Sequence, residues 1–211
     1  LFSGNLGANH AAIRNTSGSI TLRNSTLTDN SATFTGGAIG NENFGTPAEL
    51  TVINSTIFDN IANGATRIGG IVNNNATVTI RNSIVAGNTG NADITGAFVS
   101  DGNNLIGNVG SASGLTNGVN GDIVGTTASP VDARLGPLAD NGGPTLTHTP
   151  LFDSPAIDAG NPATTPAVDQ RGATRPQNGQ AFALFLPQPA ISSTADTARN
   201  VYATDLDGDG D

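Results

Sequence analysis

The chain has 211 residues and a net charge of −9, with eight arginines, no lysine and no cysteine. This acidic composition disfavours nucleic acid and anionic membranes as partners, because both are bound through clusters of basic residues. Hydrophobic residues make up 36% of the chain, and no apolar run is long enough to span a membrane. Without cysteine no disulfide can hold the fold, so packing and hydrogen bonds must stabilise it.

One 11-residue sequence motif occurs three times in the first half of the chain. It reads ITLRNSTLTDN from Ile20, LTVINSTIFDN from Leu50 and VTIRNSIVAGN from Val78. Apolar residues alternate with polar ones in each copy, and β-branched residues dominate, which is typical of strands. Repetition with a period of about 30 residues indicates stacked units, because one such unit cannot bury its apolar face alone.

A second, shorter sequence repeat precedes each copy or lies between the copies, and it ends at Asn15, Asn41 and Asn74. Each period therefore holds at least two short strands joined by corners rich in glycine and asparagine. This arrangement predicts an all-β parallel solenoid over residues 1–134. The repeats are clearest over 1–109, and the coils that follow are irregular.

The recurring asparagines are predicted to stack in two ladders along the solenoid. In each ladder one side-chain amide would bond the next, about 4.8 Å away, as asparagines do in cross-β stacks. The alternative is that they are ordinary loop residues. One ladder contains Asn24, Asn54 and Asn82, and the other contains Asn5, Asn30, Asn60 and Asn88.

Two short motifs carry a family resemblance. The GGAI at Gly36 and the FSGN at Phe2 resemble the GGAI and FxxN repeats of polymorphic outer-membrane proteins. More broadly, the repeats resemble the right-handed parallel β-helix of the pectate-lyase-like superfamily. The resemblance covers about the first half of the chain and implies the fold. It leaves function open, because this fold carries lyases, hydrolases, adhesins and passive stalks.

Residues 135–176 form a distinctive block. It contains LGPLADNGGPTLTHTP from Leu135, SPAIDAG from Ser154 and DQRG from Asp169. The wording resembles the C-terminal cassette of choice-of-anchor Q domain proteins, which implies a place between β-helix repeats and a cell-surface anchor. Its prolines interrupt regular strands. We expect it to cap the last rung of the solenoid, because an open edge recruits other chains.

The last segments predict a linker and a metal motif. Residues 177–200 are predicted to be a linker with one edge strand. Residues 201–211 resemble the opening of an FG-GAP repeat, and their carboxylate spacing is typical of a Ca²⁺ loop. The downstream ligands are missing, so a frayed acidic tail is the alternative. The candidate ligands are Asp205, Asp207, Asp209 and Asp211.

A catalytic interpretation begins with Asp29 and Asp59, which occupy the same place in successive copies. Two carboxylates one coil apart approach the separation used by retaining glycosidases. The resemblance implies that such acids bind calcium or act in acid–base catalysis beside an arginine, here Arg23 or Arg81. Gly87 replaces the acid in the third copy, and Asp-Asn pairs are common in turns, so the turn interpretation is favoured.

The sequence therefore predicts a structural or adhesive module of a secreted or cell-surface bacterial protein. A surface polysaccharide or another surface protein would be its partner. A polysaccharide lyase or hydrolase is the alternative, and an extracellular filament subunit is a third, because solenoid ends can stack. The chain opens in the middle of a repeat, which suggests a piece of a longer polypeptide.

Overall fold

The structure, a computed structural model, describes residues 1–64 and 67–175. These residues belong to one unit, Leu1–Asn178. The predicted linker and edge strand at 177–200 lie outside the described residues. So does the predicted calcium motif with Asp205, Asp207, Asp209 and Asp211.

The described fold consists of short strands, as the alternation of apolar and polar residues predicts. The strands are β1 Phe2–Ser3, β2 Leu6–Gly7, β3 Ile13–Asn15, β4 Gly18–Arg23, β5 Thr26–Thr28, β6 Ser31–Ala32, β7 Ile39–Glu42, β8 Ala48–Ile53, β9 Thr56–Phe58, β10 Ile61–Ala62, β11 Ile68–Asn74, β12 Thr77–Arg81, β13 Ile84–Ala86, β14 Ala92–Thr95, β15 Val99–Ser100, β16 Leu105–Ile106 and β17 Ile123–Val124. One 3₁₀ turn, Pro162–Thr164, is the helical element of the described residues.

The strands stack into four sheets that run along a parallel β-solenoid of about three turns. Sheet A contains β1, β5, β9, β13, β16 and β17, and sheet B contains β2, β6 and β10. Sheet C contains β3, β7, β11 and β14, and sheet D contains β4, β8, β12 and β15. Every pairing between these strands is parallel. The predicted all-β solenoid is confirmed.

The register places repeated residues directly over one another. Ile20 pairs with Leu50 and Leu50 pairs with Val78, so the apolar positions of the three copies form one inward column. A fully buried aliphatic side chain contributes roughly 1.5–3 kcal/mol, and stacking supplies this for every coil. The largest fully buried aliphatic side chains are Leu27, Ile39, Leu50, Val52, Ile57, Ile71, Val78, Ile80, Val85, Ile94 and Ile106.

The last coil is shortened and closes the interior. Ser113 bridges Ala97 in parallel, and β17 pairs with β16 to complete sheet A. Between them Leu115 enters the main apolar cluster and is only 6% exposed. The glycine- and serine-rich stretch at 111–120 therefore covers the end of the core, whereas its composition alone indicates an excursion from the coil.

Residues 131–175 lie along the outer face of sheet A. Ala133 packs with the outward side chains Ala86 and Leu105 in a second apolar cluster. Further along, the Nε2 atom of His148 lies 3.0 Å from the Thr28 hydroxyl, and Thr26 donates to the Gln170 side chain at 2.8 Å. This segment thus runs back to the second coil. That placement differs from the predicted role of residues 135–176 as a cover for the last rung.

Truncation of Leu115 tests which segment closes the core. We expect Leu115→Ala to lower the free energy of unfolding by about 2–4 kcal/mol, the cost of a cavity in a packed interior. Leu6→Ala is the matched control, because Leu6 points outward and is 83% exposed; it should change stability by less than about 0.5 kcal/mol. Urea denaturation measures both. Equal effects of the two variants would contradict the assignment.

Candidate functional site

The ladder of Asn5, Asn30, Asn60 and Asn88 is a continuous column of hydrogen bonds. In each step the backbone N–H and the side-chain amide of one asparagine both donate to the Oδ1 atom of the next. The amide distances are 2.7 Å from Asn5 to Asn30, 2.8 Å from Asn30 to Asn60 and 2.8 Å from Asn60 to Asn88. The backbone distances are 3.1, 3.2 and 3.0 Å. These donors all point toward the C-terminal end of the stack, whereas the second hydrogen of the Asn30, Asn60 and Asn88 amides donates back to a backbone carbonyl of the preceding coil, as from Asn60 to Leu27.

This column ends on a buried carboxylate that the sequence analysis did not single out. Asp93 Oδ1 accepts the backbone N–H and the side-chain amide of Asn88, at 2.9 and 2.8 Å. Its Oδ2 accepts the backbone N–H of Asn108 at 2.7 Å. Asp93 is 3% exposed, and burial raises its pKa although these hydrogen bonds oppose the rise. A carboxylate accepts on both oxygens, whereas an amide accepts on only one, so Asp93 receives donors from two coils.

A second column follows the serines of the repeated Asn-Ser pairs. The Ser25 N–H donates to Ser55 Oγ and the Ser55 N–H to Ser83 Oγ, both at 3.2 Å. The Ser83 N–H then donates to Asn104 Oδ1. Asn104 donates its backbone N–H and its amide to Asp122 Oδ1 at 2.9 and 3.0 Å. This column has the same direction and the same carboxylate end.

The asparagines of those pairs do not form the predicted chain of amides. Asn24, Asn54 and Asn82 have φ values of 47, 48 and 46°, so they occupy the left-handed corner that asparagine tolerates. Their side chains consequently point away from the column. Asn24 donates to the Val168 carbonyl at 2.8 Å, and Asn82 donates to Thr164 Oγ1 at 3.0 Å. Asn24 and Asn82 thus attach the C-terminal segment to the solenoid instead of bonding one another, whereas Asn54 Oδ1 is buried without a partner among the described residues.

A third ladder consists of Asn15, Asn41 and Asn73. Asn15 donates to Asn41 Oδ1 at 2.9 Å, and Asn41 donates to Asn73 Oδ1 at 3.3 Å. The amide of Asn73 ends this column on the Ala97 carbonyl. The sequence indicates this third ladder, because the second, shorter sequence repeat places asparagine at or beside these three positions.

The candidate acids Asp29 and Asp59 are exposed turn residues. Their φ values are 56 and 57°, and the equivalent residues Gly4 and Gly87 have φ values of 70 and 65°. The position therefore selects for left-handed backbone, which aspartate and glycine both provide. At Gly87 the absent side chain leaves room for the Phe58 ring, because an added Cβ would lie 2.5 Å from it.

The candidate arginines Arg23 and Arg81 share one column on the outer face of sheet D. Both pair in register with Ile53, which lies between them, so they are two rungs or about 9.6 Å apart. Neither guanidinium makes an ion pair or hydrogen bond with a described residue, and Arg81 Nε is buried without a partner. The neighbouring column of this face is formed by the register-matched Thr21, Thr51 and Thr79.

A buried histidine lies in the first coil. His10 is 6% exposed, and its Nε2 lies 3.2 Å from Glu42, which also accepts from Arg14 Nε at 2.8 Å. The ring leaves no room for a Cβ at Gly36 or Gly40, and its Nδ1 has no partner among the described residues. Burial lowers the pKa of His10, although Glu42 opposes the change.

Within residues 1–64 and 67–175, no cluster of three or more histidine, aspartate or glutamate side chains could hold a metal ion. The same residues contain no helix of the length and hydrophobicity that a membrane crossing needs. No family model matches the chain, and neither the curated proteins nor the solved structures contain a match. The fold and the columns described above are therefore the basis for a functional proposal.

Removing one acceptor from Asp93 tests its role at the end of the asparagine column. We expect Asp93→Asn to lower the free energy of unfolding by about 1–3 kcal/mol, because an NH₂ group would then face an N–H donor. Asp29→Asn is the matched control: it makes the same chemical change at an exposed left-handed turn, where asparagine is tolerated. Urea denaturation of both variants measures the difference. Equal stability of Asp93→Asn and the parent chain would contradict the assignment.

His10 predicts a loss of stability in mild acid. Its folded pKa lies below the unfolded value of about 6.5, so protonation favours the unfolded chain. Stability should therefore fall as the pH drops from about 6.5 through the lower folded pKa. The control His10→Asn has no titrating ring and suits the φ of 53°. We expect the loss in unfolding free energy between pH 7.5 and 5 to be larger in the parent chain. Identical losses would refute this prediction.

Proposed function

We propose that this chain is a non-enzymatic structural and adhesive module of a secreted or cell-surface protein. Its binding surface is the outer face of sheet D, and its ligand is an extended acidic polysaccharide. The single observation that supports this ligand is the unpaired arginine column of that face. Arg23 and Arg81 have no anionic partner among the described residues, although the chain carries a net charge of −9.

The chemistry of the neighbouring columns is consistent with a sugar polymer. Thr21, Thr51 and Thr79 offer hydroxyl groups at the strand spacing of about 4.8 Å. Hydroxyls both donate and accept hydrogen bonds, and guanidinium groups bind carboxylates in a bidentate manner. Thr21, Glu49 and Val99 remain exposed on this face. A regular array of this kind suits a repeating ligand more than a single compact molecule.

The two wide outer faces also differ in what covers them. On sheet A, the segment 131–175 packs against outward side chains from Thr26 to Leu105. Because residues 131–175 cover the outer face of sheet A, that face has a structural role in this proposal, and the ligand binds the outer face of sheet D. The stacked columns hold the arginines and threonines at fixed spacing, which reduces the ordering cost of binding.

Binding to polyuronates tests this proposal. We expect the chain to bind polygalacturonate or alginate more tightly than neutral dextran, with affinity falling as salt is added. The double variant Arg23→Ala/Arg81→Ala should weaken binding at least tenfold, which corresponds to about 1.4 kcal/mol. Arg67→Ala removes one positive charge away from sheet D and is the matched control. Equal binding of dextran, or an equal loss in Arg67→Ala, would overturn the proposal.

The same polysaccharides distinguish binding from cleavage. After incubation with the chain, we expect no new reducing ends and no absorbance from unsaturated products. If products form, and if Asp29→Asn or Asp59→Asn abolishes them while binding persists, the chain is a lyase or hydrolase and the non-enzymatic proposal is wrong.

A further inference from the structure

The outer face of sheet D changes the sign of its charge from one coil to the next. Arg23 on β4 and Arg81 on β12 both pair in register with Ile53 on β8, the strand between them. Strand β8 contains no basic residue, and its charged residue is Glu49. Glu49 lies four residues before Ile53, so both side chains point to the same face of the strand. Along the solenoid axis the order is therefore cation, anion, cation.

Asp101 continues this order on the fourth coil. It follows Ser100, which pairs in register with Ile80, so it stands one rung beyond Arg81. Asp101 and Glu49 are exposed, and neither makes an ion pair with a described residue. Glu49 accepts a hydrogen bond from the Ser19 hydroxyl at 2.9 Å. The face thus presents its arginines on alternate rungs, with an exposed carboxylate on each rung that follows an arginine.

The rung spacing relates this order to a polysaccharide. Successive rungs lie about 4.8 Å apart, which is close to the advance of one residue along an extended sugar chain. The column of Thr21, Thr51 and Thr79 offers one hydroxyl on each of three rungs, so a polymer lying along this column places one residue on each rung. A uronate carboxylate is attracted on the rungs of Arg23 and Arg81 and repelled on the rung of Glu49.

We infer that the polysaccharide bound by this face carries a carboxylate on every second residue, with an uncharged sugar between. The inference rests on the proposed function of sheet D and names the class of acidic polymer within it. Glu49 is then a specificity-determining residue. Its carboxylate accepts hydrogen bonds from a hydroxyl or amide of the uncharged sugar, and it disfavours a second carboxylate on the same rung. Selection against a competitor by repulsion is a common source of specificity.

Hyaluronate and polygalacturonate are the probes. Hyaluronate alternates a uronate with an uncharged acetylated sugar, whereas polygalacturonate carries a carboxylate on every residue. Oligomers of equal residue number are titrated into the full 211-residue chain by calorimetry at low salt, where surface charges are least screened. We expect hyaluronate to bind about three- to tenfold more tightly, the effect of one or two surface charge contacts.

A variant of Glu49 separates local repulsion from the net charge of −9, which also disfavours the denser polyanion. Glu49→Gln should raise the affinity for polygalacturonate about threefold and leave the affinity for hyaluronate nearly unchanged. The matched control Asp29→Asn removes one negative charge at an exposed left-handed turn beside sheet A and should change neither affinity. Urea denaturation verifies that both variants are folded. Equal gains in the two variants, or the same gain for both polymers, would overturn the inference.

Neutral dextran distinguishes the failure of this inference from that of the proposed function. If polygalacturonate binds as tightly as hyaluronate and both bind more tightly than dextran, the alternation is wrong and the acidic-polysaccharide proposal stands. If neither polymer binds more tightly than dextran, the proposed function fails and this inference fails with it.

Discussion

The structure depends on a directional contact between coils. In this contact the backbone N–H and the side-chain amide of one asparagine both donate to the Oδ1 atom of the asparagine on the next coil. Asn30 illustrates the unit: its oxygen accepts both donors of Asn5, and its own N–H and amide donate to Asn60. Buried polar groups are costly unless they are satisfied, and this pattern satisfies them in every coil. It also fixes register, because a shift by one residue would leave each buried amide without its partner. The aliphatic columns supply the larger share of stabilisation, whereas the ladder determines how the coils align.

The corners follow from the same constraint. To direct asparagine or serine into a column, the chain must turn sharply just before it, and it does so with left-handed residues. At one corner the turn residues are Gly4, Asp29, Asp59 and Gly87, and at the other they include Asn24, Asn54 and Asn82. Conformation therefore explains the repeated aspartates without a catalytic role. Exposed residues that recur for backbone reasons resemble a functional pattern in sequence, and the alternation of aspartate with glycine favours the backbone interpretation.

Local periodicity was sufficient to predict the strands, the inward columns and the positions of the asparagines. Side-chain direction was harder, because a left-handed asparagine and a ladder asparagine look alike in sequence, and only the former binds the C-terminal segment. Asp93 could not be found from the repeat, since it enters the column from outside the ladder register. The course of residues 131–175 was equally inaccessible: its contacts, such as that between His148 and Thr28, span 120 residues and carry no period.

The two carboxylates give the stack a chemical polarity that bears on assembly. If the last ladder residue were asparagine, its amide would be an unsatisfied donor able to recruit a further coil, and end-to-end stacking of copies would complete the column. Asp93 instead accepts from Asn88 and from Asn108, so the column meets donors from both sides and cannot be extended. Asp122 ends the serine column on the same principle. Growth at that end therefore lacks a side-chain template. A filament, if one formed, would therefore have to rely on backbone pairing or on lateral contacts instead of a continued side-chain ladder.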